Sequence, residues 1–439
     1  MSLLSYLQSQ ESDLTMVTYA ADAGKWRLEL RDALFERLSS ECIAELLLRD
    51  GDRARLEVVS TLKVAAQDVR FCTLSVATKS RLIQEVADLV LGLGPLEELL
   101  SDQTITEIMV NGASQVFYER EGKLYRSKAR FNDEQQLRMV IDRIVSPLGR
   151  RVDEQSPFVS ARLATGHRVN VVIPPLSLDG SILTIRKFRD EIFTLDELTK
   201  MGSIDSCGAQ LLRWAVLCRR TIAVSGGTGS GKTTFLNALS VEIPPYERII
   251  TIEDAAELRF SKHPHVVRLE ARPRNAEGCG EVSIRDLMIN ALRMRPDRIV
   301  VGECRGAEAL DMLQAMNTGH DGSLTTLHAN SPYEVPKRLV MMARYAMDLP
   351  VSIIEEQIAS ALDIVVQLDR FGDGRRRVTS ICEFGSSSAS GLSMTQLCVW
   401  DTTSSRYHWK ARPGWLNQQG SSCQLDAEEV KAWIALAGL

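Results

Sequence analysis

The sequence lacks the features that would place it in a membrane, outside the cell or on nucleic acid. No stretch reaches the roughly 18 consecutive apolar residues of a membrane span, and the N-terminal residues show no signal peptide. The formal net charge is -5, whereas nucleic-acid-binding proteins usually present a basic surface. These absences predict a cytoplasmic protein that does not insert into the membrane and does not bind nucleic acid.

Cysteine is used sparingly and without a pattern. None of the nine cysteines stands in the C-x-x-C spacing of a zinc site. Thiols of a cytoplasmic protein stay reduced, so the sequence predicts free or buried cysteines. His263 and His265 form an H-x-H pair, but no third ligand stands close by, so no zinc site is expected there.

The organisation of the chain changes several times along its length. Its 439 residues leave room for two or three domains, each with its own core. Hydrophobic periodicity and clusters of helix-breaking residues indicate the boundaries. We predict, in order, a helical N-terminal extension (1–75), an α+β domain (76–190), a linker with a short helix (191–206), a larger domain (207–385) and a C-terminal tail (386–439).

The larger domain alternates short apolar strands with amphipathic helices. Such alternation predicts a mostly parallel sheet covered by helices, which is an α/β fold. The tail is rich in Ser, Thr and Gly, and only its last part, 426–437, has a helical pattern. Strands are expected at 221–225, 248–252, 298–301 and 323–327, and helices at 233–241 and 283–294.

The strongest motif is a glycine-rich run that fits G-x-x-x-x-G-K-[ST], between an apolar strand and a helix. Glycines let backbone N–H groups turn toward phosphate oxygens, and the helix N-terminus adds partial positive charge. Lys232 would reach the β- and γ-phosphates and the Thr233 hydroxyl would bind Mg²⁺, so the motif predicts binding of ATP with Mg²⁺. The run comprises Gly226, Gly227, Thr228, Gly229, Ser230, Gly231, Lys232, Thr233 and Thr234.

Two acidic groups follow strands whose carboxyl ends should meet at one edge of the sheet. Glu253 and Asp254 end the first strand, where a carboxylate can orient or deprotonate a water molecule; capping of a following helix is the alternative. Glu303 ends the second strand, where Gly302 stands in place of the metal-binding Asp of many such strands. Glu303 is predicted to hold Mg²⁺ or to position the nucleophile, and an ordinary solvated glutamate is the alternative.

Histidines and arginines add candidates whose individual signals are weaker. His320 and His328 flank the last strand, and a histidine at a strand tip can sense the γ-phosphate, although a lone histidine is more often structural. Arginine forks match phosphate oxygens, although surface arginines are common. The arginine candidates are Arg162, Arg168, Arg186 and Arg272.

The motifs stand in the order phosphate loop, acidic pair, Walker B-like strand and histidine pair. In this order they resemble the type II/type IV secretion ATPase superfamily. The stretches 92–97, 105–112, 291–303 and 316–322 resemble its CpaF/TadA group, the ATPases of tight-adherence (Flp) pilus assembly. The resemblance covers roughly residues 80–385. It implies a RecA-like P-loop NTPase core with a mostly parallel sheet, preceded by a smaller α+β N-terminal domain.

The resemblance also implies roles for particular residues. Glu253 matches the catalytic acid of the acidic box and Glu303 the Walker B glutamate. The arginines ahead of the loop match basic residues that approach the nucleotide, some of them across a subunit boundary. The implied catalytic residues are Lys232, Glu253, Glu303, His320, His328 and Arg186, and the implied nucleotide ligands include Arg162, Arg168 and, as a weaker match, Arg272.

Members of this superfamily form homohexameric rings whose N-terminal domain moves against the RecA-like domain during hydrolysis. The resemblance therefore implies a motor that drives inner-membrane platform proteins and associates peripherally with the inner membrane through them. Two features depart from the type II secretion ATPases: there is no tetracysteine zinc element, and the tail is unusual.

Three other readings remain open at this stage. The ATPase of a type IV secretion or conjugation channel belongs to the same superfamily and is poorly separated by sequence. A nucleotide-gated regulator with little hydrolysis would need the phosphate loop but not Glu253 and Glu303. A DNA translocase on the same core would want basic loops, against which the acidic balance counts.

Overall fold

The computed structural model describes residues 24–39, 42–43, 46, 51–145, 152–163, 165–188, 193–260, 263–272, 274, 279–388, 391–417 and 425–439. The chain divides into two compact units, Met1–Arg189 and Asp190–Leu439. The first residues of the chain and part of the expected linker, 191–192, lie outside the described residues.

The first unit begins with a small helical bundle. Its helices are α1 (residues 24–35), α2 (Gly51–Ala65) and α3 (Val76–Leu91). They share one apolar core, in which Leu30, Leu62 and Val86 are fully buried. The Ser75 side chain accepts a hydrogen bond from the Thr78 amide and so caps α3. Helix α3 ends at Leu91, directly before the Gly-Leu-Gly-Pro cluster at 92–95.

A six-stranded antiparallel sheet forms the rest of the first unit, in the order β3-β2-β1-β6-β5-β4. Helices α4 (Glu97–Ser101) and α5 (Glu134–Val145) accompany it, and Leu137 and Ile141 of α5 share a buried core with Ile108 and Ile185 of the sheet. The strands are β1 (Ile105–Asn111), β2 (Gln115–Arg120), β3 (Lys123–Arg126), β4 (Phe158–Arg162), β5 (Arg168–Val172) and β6 (Ile182–Arg186).

The second unit is built on a nine-stranded sheet in the order β15-β14-β13-β12-β7-β11-β10-β8-β9. The six strands from β12 to β9 pair in parallel, as the alternation of strands and helices predicts. They are β7 (Ile222–Gly226), β8 (Ile249–Glu253), β9 (Val266–Glu270), β10 (Arg298–Cys304), β11 (Leu324–Leu327) and β12 (Ile364–Arg370).

Two apolar cores flank this sheet because neighbouring residues of a strand point to opposite faces. Val224 contributes to one core and Ala223 to the other, and both are fully buried. The helices are α6 (Leu195–Lys200), α7 (Ser206–Leu217), α8 (Lys232–Ser240), α9 (Ile284–Ala291), α10 (Glu308–Asn317), α11 (Val335–Ala346), α12 (Val351–Ala361) and α13 (Ala427–Ala437).

The C-terminal part of the chain continues the same sheet instead of standing apart from it. Strands β13 (Arg376–Ser388), β14 (Gly391–Asp401) and β15 (Arg406–Trp409) add antiparallel to β12. Helix α13, whose pattern the sequence does show, then packs its Trp433 ring against Trp214 and Trp409, with centroids 6.1 and 5.0 Å apart. The Trp433 indole also donates a hydrogen bond to the Cys207 carbonyl, at 2.8 Å.

The cysteines correct one expectation. Cys218 is disulfide-bonded, whereas free or buried thiols were expected throughout. The other described cysteines are free: Cys42, Cys72, Cys207, Cys279, Cys304, Cys382 and Cys398.

Among the residues that the structure describes, no helix has both the length and the apolar character needed to cross a membrane.

Candidate functional site

The glycine-rich run forms the turn between the buried strand β7 and helix α8. Gly229 and Gly231 have positive φ angles of 70° and 94°, a left-handed conformation that favours glycine. An added Cβ at Gly226 would collide with the Leu368 carbonyl oxygen of the neighbouring strand. The run therefore needs glycine both for its backbone path and for its close approach to β12.

Lys232 is the first residue of α8, and its side chain folds back over the loop. Its Nζ donates hydrogen bonds to the carbonyl oxygens of Gly226, at 3.1 Å, and Gly227, at 2.8 Å. The same nitrogen lies 3.4 Å from Nδ1 of His328, at the end of β11. The side chain is 8% exposed, so this positive charge is held inside the loop by its partners.

His328 stands between Lys232 and Glu303. Because the lysine ammonium can only donate, we assign Nδ1 as the acceptor and Nε2 as the protonated nitrogen. Nε2 lies 2.8 Å from Oε1 of Glu303, but that oxygen has no hydrogen-bond partner among the described residues, so the contact is electrostatic without hydrogen-bond geometry. Burial, with the charge of Lys232, lowers the pKa of His328, which favours a neutral ring at pH 7.

Glu303 is more acidic than an ordinary glutamate. Its burial acts to raise the pKa, but the hydrogen bond and charge of Arg305 outweigh burial, and the pKa lies below its ordinary value. Arg305 donates to Oε2 of Glu303 at 2.5 Å and lies 3.7 Å from Asp254. Sequence reasoning missed Arg305. The available signal was its place two residues after Glu303, which puts both side chains on the same face of an extended chain.

Glu253 is the most deeply buried acid of the cluster. One oxygen, Oε1, accepts hydrogen bonds from the amides of Glu257 and Leu258, at 2.7 and 2.8 Å. The other, Oε2, is buried and has no hydrogen-bond partner among the described residues. Burial raises the pKa of Glu253 to about 7, against the opposing effect of the two amides. A carboxyl group with this pKa can take up or release a proton near neutral pH.

The glycine at position 302 makes room for this acid. An added Cβ at Gly302 would lie 2.8 Å from Cγ of Glu253 on the adjacent strand. An aspartate at this position would displace Glu253. Glycine in place of the usual Walker B Asp therefore leaves the space in which Glu253 is buried.

The order of the strands explains how these residues meet. Strands β7, β11, β10 and β8 are consecutive parallel neighbours, so their carboxyl ends lie side by side at one edge of the sheet. Each strand brings one side chain to that edge, in the order Lys232, His328, Glu303 and Glu253. Ligands of open α/β sheets bind at this edge.

The loop and its surroundings fit a phosphate group. No side chain caps the N-terminus of α8 at Gly231, which leaves the helix dipole open to an anion. Ser230 Oγ is buried without a hydrogen-bond partner in the part of the chain that the structure describes. A phosphate at this helix end would accept from such donors.

The donor set also suits Mg²⁺ shared with a phosphate. Thr233, on the first turn of α8, and Glu303 offer a hydroxyl and a carboxylate. Mg²⁺ commonly takes one or two protein ligands and completes its shell with phosphate oxygens and water. Across the described residues, no group of three or more His, Cys, Asp or Glu side chains is arranged to hold a metal by itself.

Two predicted residues are not brought into this cluster. His320 lies before β11, at the opposite edge of the sheet from His328, and its Nδ1 lies 3.0 Å from the Ala315 carbonyl oxygen. The two histidines are separated because the strand between them runs through the sheet. Arg272 follows β9 and is exposed; its Nε donates to the Gly280 carbonyl at 2.6 Å and so closes its own loop.

The three arginines of the first unit form a row across adjacent strands. Arg162 lies opposite Arg168, and Arg168 lies opposite Arg186, so the three share one face of the sheet. Glu107 on β1 continues the row opposite Arg186, and burial raises the pKa of this glutamate. Adjacent like charges repel, so the row is suited to an anion with several negative charges.

Comparison with known proteins gives the family. The family model described as "Type II/IV secretion system protein" matches residues 90–395, and the chain belongs to this family. A protein of Mycobacterium tuberculosis (strain H37Rv), provisionally named as a conjugal transfer protein, is 42% identical over 297 residues, covering 66% of this chain and 84% of that protein.

Two further similarities carry more descriptive names. The type IV secretion system protein PtlH of Bordetella pertussis is 37% identical over 316 residues, covering 66% of this chain and 93% of PtlH. The crystal structure of the VirB11 ATPase from the Brucella suis type IV secretion system is 32% identical in sequence, covering 65% of this chain and 94% of that one, with a TM-score of 0.36.

Proposed function

We propose that this protein is an ATPase that binds ATP with Mg²⁺ and converts its hydrolysis into movement of a secretion or pilus machine. The observation that carries the proposal is the row at the sheet edge: a phosphate loop with Lys232, and beside it the acids Glu303 and Glu253. A regulator that only senses nucleotide would have no need for a buried carboxyl group with a pKa of about 7 at this position.

The roles of the residues follow from their environments. Lys232 and the loop amides would hold the β- and γ-phosphates and offset the charge that develops during transfer. Glu253 would orient the attacking water and accept its proton at Oε2, the oxygen without a hydrogen-bond partner among the described residues. His328 would couple Glu303 to Lys232, because its two ring nitrogens contact the two side chains. Bound Mg²⁺, held by Thr233 and Glu303, would supply charge neutralisation for the phosphates.

We further propose that the protein works as a homohexamer with shared sites. The arginine row on β4, β5 and β6 would face the nucleotide of a neighbouring subunit, with Arg186 as the catalytic member and Arg162 and Arg168 as phosphate ligands. The proposal is supported by the placement of three arginines opposite one another on adjacent strands, on one face of the sheet. Arg272 and His320 have no support from the arrangement described above.

Two observations favour different machines as the one that this ATPase drives. The sequence motifs resemble the CpaF/TadA group, which favours assembly or retraction of a tight-adherence (Flp) pilus through inner-membrane platform proteins. The names of the relatives instead refer to conjugal transfer and type IV secretion. Neighbouring genes for pilin and platform proteins would support the pilus, whereas neighbouring genes for channel components would support secretion or conjugation.

Oligomer formation should control activity if the sites are shared. ATPase rate should be measured against protein concentration while light scattering follows the mass of the oligomer. We expect a Mg²⁺-dependent specific activity that rises as hexamers form, because each site would need the arginine row of a neighbour. A constant specific activity in a persistent monomer would exclude catalysis across subunits. Absence of turnover at every concentration would favour the nucleotide-gated regulator.

The shared site makes a second prediction about mixed oligomers. Arg186→Ala should lower kcat by about tenfold or more, because an arginine that stabilises the transferring phosphoryl group is lost. Mixing this variant with Lys232→Ala should then restore activity. At equal amounts, about a quarter of the interfaces would combine an intact loop with an intact Arg186.

The control for the mixing experiment is each variant alone at the same total concentration, with subunit exchange verified by labelled protein. Arg126→Ala, on the exposed edge strand β3 outside the arginine row, gives a matched arginine substitution that should keep normal turnover. Mixed oligomers with no more activity than the separate variants would show that Arg186 does not act on a neighbouring subunit.

A further inference from the structure

The turn between β12 and β13 brings two more arginines to the phosphate loop. Arg370 ends β12 and Arg376 begins β13, and the two are cross-strand partners. The Phe371 amide donates to the Arg375 carbonyl at 2.8 Å and closes the turn. Because β12 pairs in parallel with β7, with Leu368 opposite Gly226, the turn lies where β7 passes into the loop.

Both arginines contact the glycines of the loop. Arg376 Nε donates to the Gly229 carbonyl oxygen at 2.9 Å. Its Cδ lies 3.1 Å from the position that a Cβ on Gly231 would take, and Arg370 NH1 lies 3.5 Å from the corresponding position on Gly229. A side chain at either glycine would therefore meet an arginine of the turn.

The other arginines of the turn are engaged elsewhere. Arg375 is 68% exposed and its Nε lies 3.7 Å from Asp373. Arg377 lies over the rings of Phe371 and Trp400, 5.4 and 4.9 Å from their centroids. Neighbouring residues of a strand point to opposite faces, so Arg376 faces the loop when Arg377 faces the aromatic rings.

The two loop-facing arginines bring positive charge to the phosphate loop from a neighbouring pair of strands. Arginines placed directly opposite each other in an antiparallel pair repel, and Lys232 and the helix N-terminus add positive charge nearby. This concentration of positive charge fits a ligand with several negative charges.

We propose that Arg370 and Arg376 bind the polyphosphate chain of the nucleotide within the same subunit, from the side of the β12–β13 turn. This inference rests on the proposed function and adds two ligands that the loop motif does not predict. Arginine forks suit phosphate oxygens, and Arg376 would reach the phosphates by turning from the Gly229 carbonyl toward the ligand, with Arg370 beside it. The turn would thereby contribute to affinity for ADP as well as ATP.

Nucleotide affinity of substituted proteins tests the proposal. Kd for a fluorescent ADP analogue should be measured for the wild type and for Arg370→Gln, Arg376→Gln and Arg376→Lys. We expect each glutamine variant to bind at least about tenfold more weakly, because a charge-assisted contact to phosphate is lost. Arg376→Lys should recover part of the affinity because it keeps the charge. Arg375→Gln, on the same turn, is the matched control and should stay within about twofold of the wild type.

The alternative is that Arg376 only supports the loop through its bond to Gly229. Glutamine keeps a side-chain donor but not the charge, so normal affinity of Arg376→Gln and Arg370→Gln would overturn the proposal. A loss of affinity that Lys does not recover, together with a lower unfolding temperature without nucleotide, would also overturn it. Failure of the wild type to bind ADP at all would instead contradict the proposed ATPase function.

Discussion

Replacing Lys232 by alanine should lower the ATPase kcat by at least about 100-fold, because loss of one preorganised donor to the reacting group costs about 2.7–4 kcal/mol. Affinity should fall as well. Nζ lies among the loop carbonyls of Gly226 and Gly227, so this charge is already in place before the nucleotide arrives. Phosphate release should be measured at saturating ATP, and Kd for ADP by titration.

The matched control is Lys200→Ala, an exposed lysine at the end of α6, which should leave kcat and Kd unchanged. Thermal unfolding without nucleotide must show that the Lys232 variant is folded, because the side chain is buried. A folded Lys232→Ala protein that hydrolyses ATP at the normal rate would remove the loop from the proposed mechanism.

The second large effect is expected from Glu253→Gln. The substitution keeps the size and the hydrogen-bond acceptor for the Glu257 and Leu258 amides but removes the group that can accept a proton. Turnover should fall by about 100-fold or more, the usual contribution of a positioned general base. Binding of ATP should stay within about twofold, since the loop contacts are unchanged. Single-turnover hydrolysis and nucleotide titration separate the two effects.

The pH dependence of the wild type gives an independent check on Glu253. Ionised Glu253 is the active form, so the rate should rise with pH through about 7, and the glutamine variant should lack this limb. The contribution of Glu253 to the free energy of unfolding should change in the opposite direction and fall as pH rises. Because the folded pKa lies above the ordinary value of 4.5, the native state holds a proton that the unfolded state has released. The contribution to unfolding free energy is complete below pH 4.5 and is lost as pH rises through about 7.

Asp254→Asn is the control for this acid. Asp254 is the next residue along the chain, its side chain is 64% exposed, and it lies 3.7 Å from Arg305. We expect it to keep most of the turnover and the same acid limb. If Asp254→Asn removed the rise of rate with pH and Glu253→Gln did not, the general base would be Asp254 and not the buried Glu253.

The sequence predicts the local parts of the fold well because their signals are local. Strand β7, the glycine run and α8 follow each other directly, so hydrophobic runs and glycine spacing are enough to identify them. Strands β14 and β15 were missed because the Ser, Thr and Gly residues around them indicate a tail, and because β15, Arg406–Trp409, has only four residues. These strands depend on pairing with β13 and on the aromatic packing around Trp433, which no local pattern reveals.

The same limit applies to the candidate site. Sequence order places Glu253, Glu303 and His328 at strand ends and Lys232 in the loop after β7, but their order along the sheet edge depends on which strands are neighbours. Sequence reasoning missed Arg305, which stands two residues after Glu303, and it missed Arg370 and Arg376, which lie beside the loop because β12 pairs with β7. His320 lies apart from His328 because the two histidines flank strand β11, and closeness in sequence does not place both at one edge of a sheet.

The region shared with the family ends at residue 395, in the middle of strand β14. A fragment cut at that point would leave half of β14 on β13 and would remove Trp433, whose ring packs against Trp214 on the helix before β7, together with Trp409, which packs against Trp433. The smallest piece of the second unit that can be expected to fold therefore extends beyond the family region through α13. Similarity to relatives marks where sequences can be aligned, and in this chain the cooperative folding unit is larger.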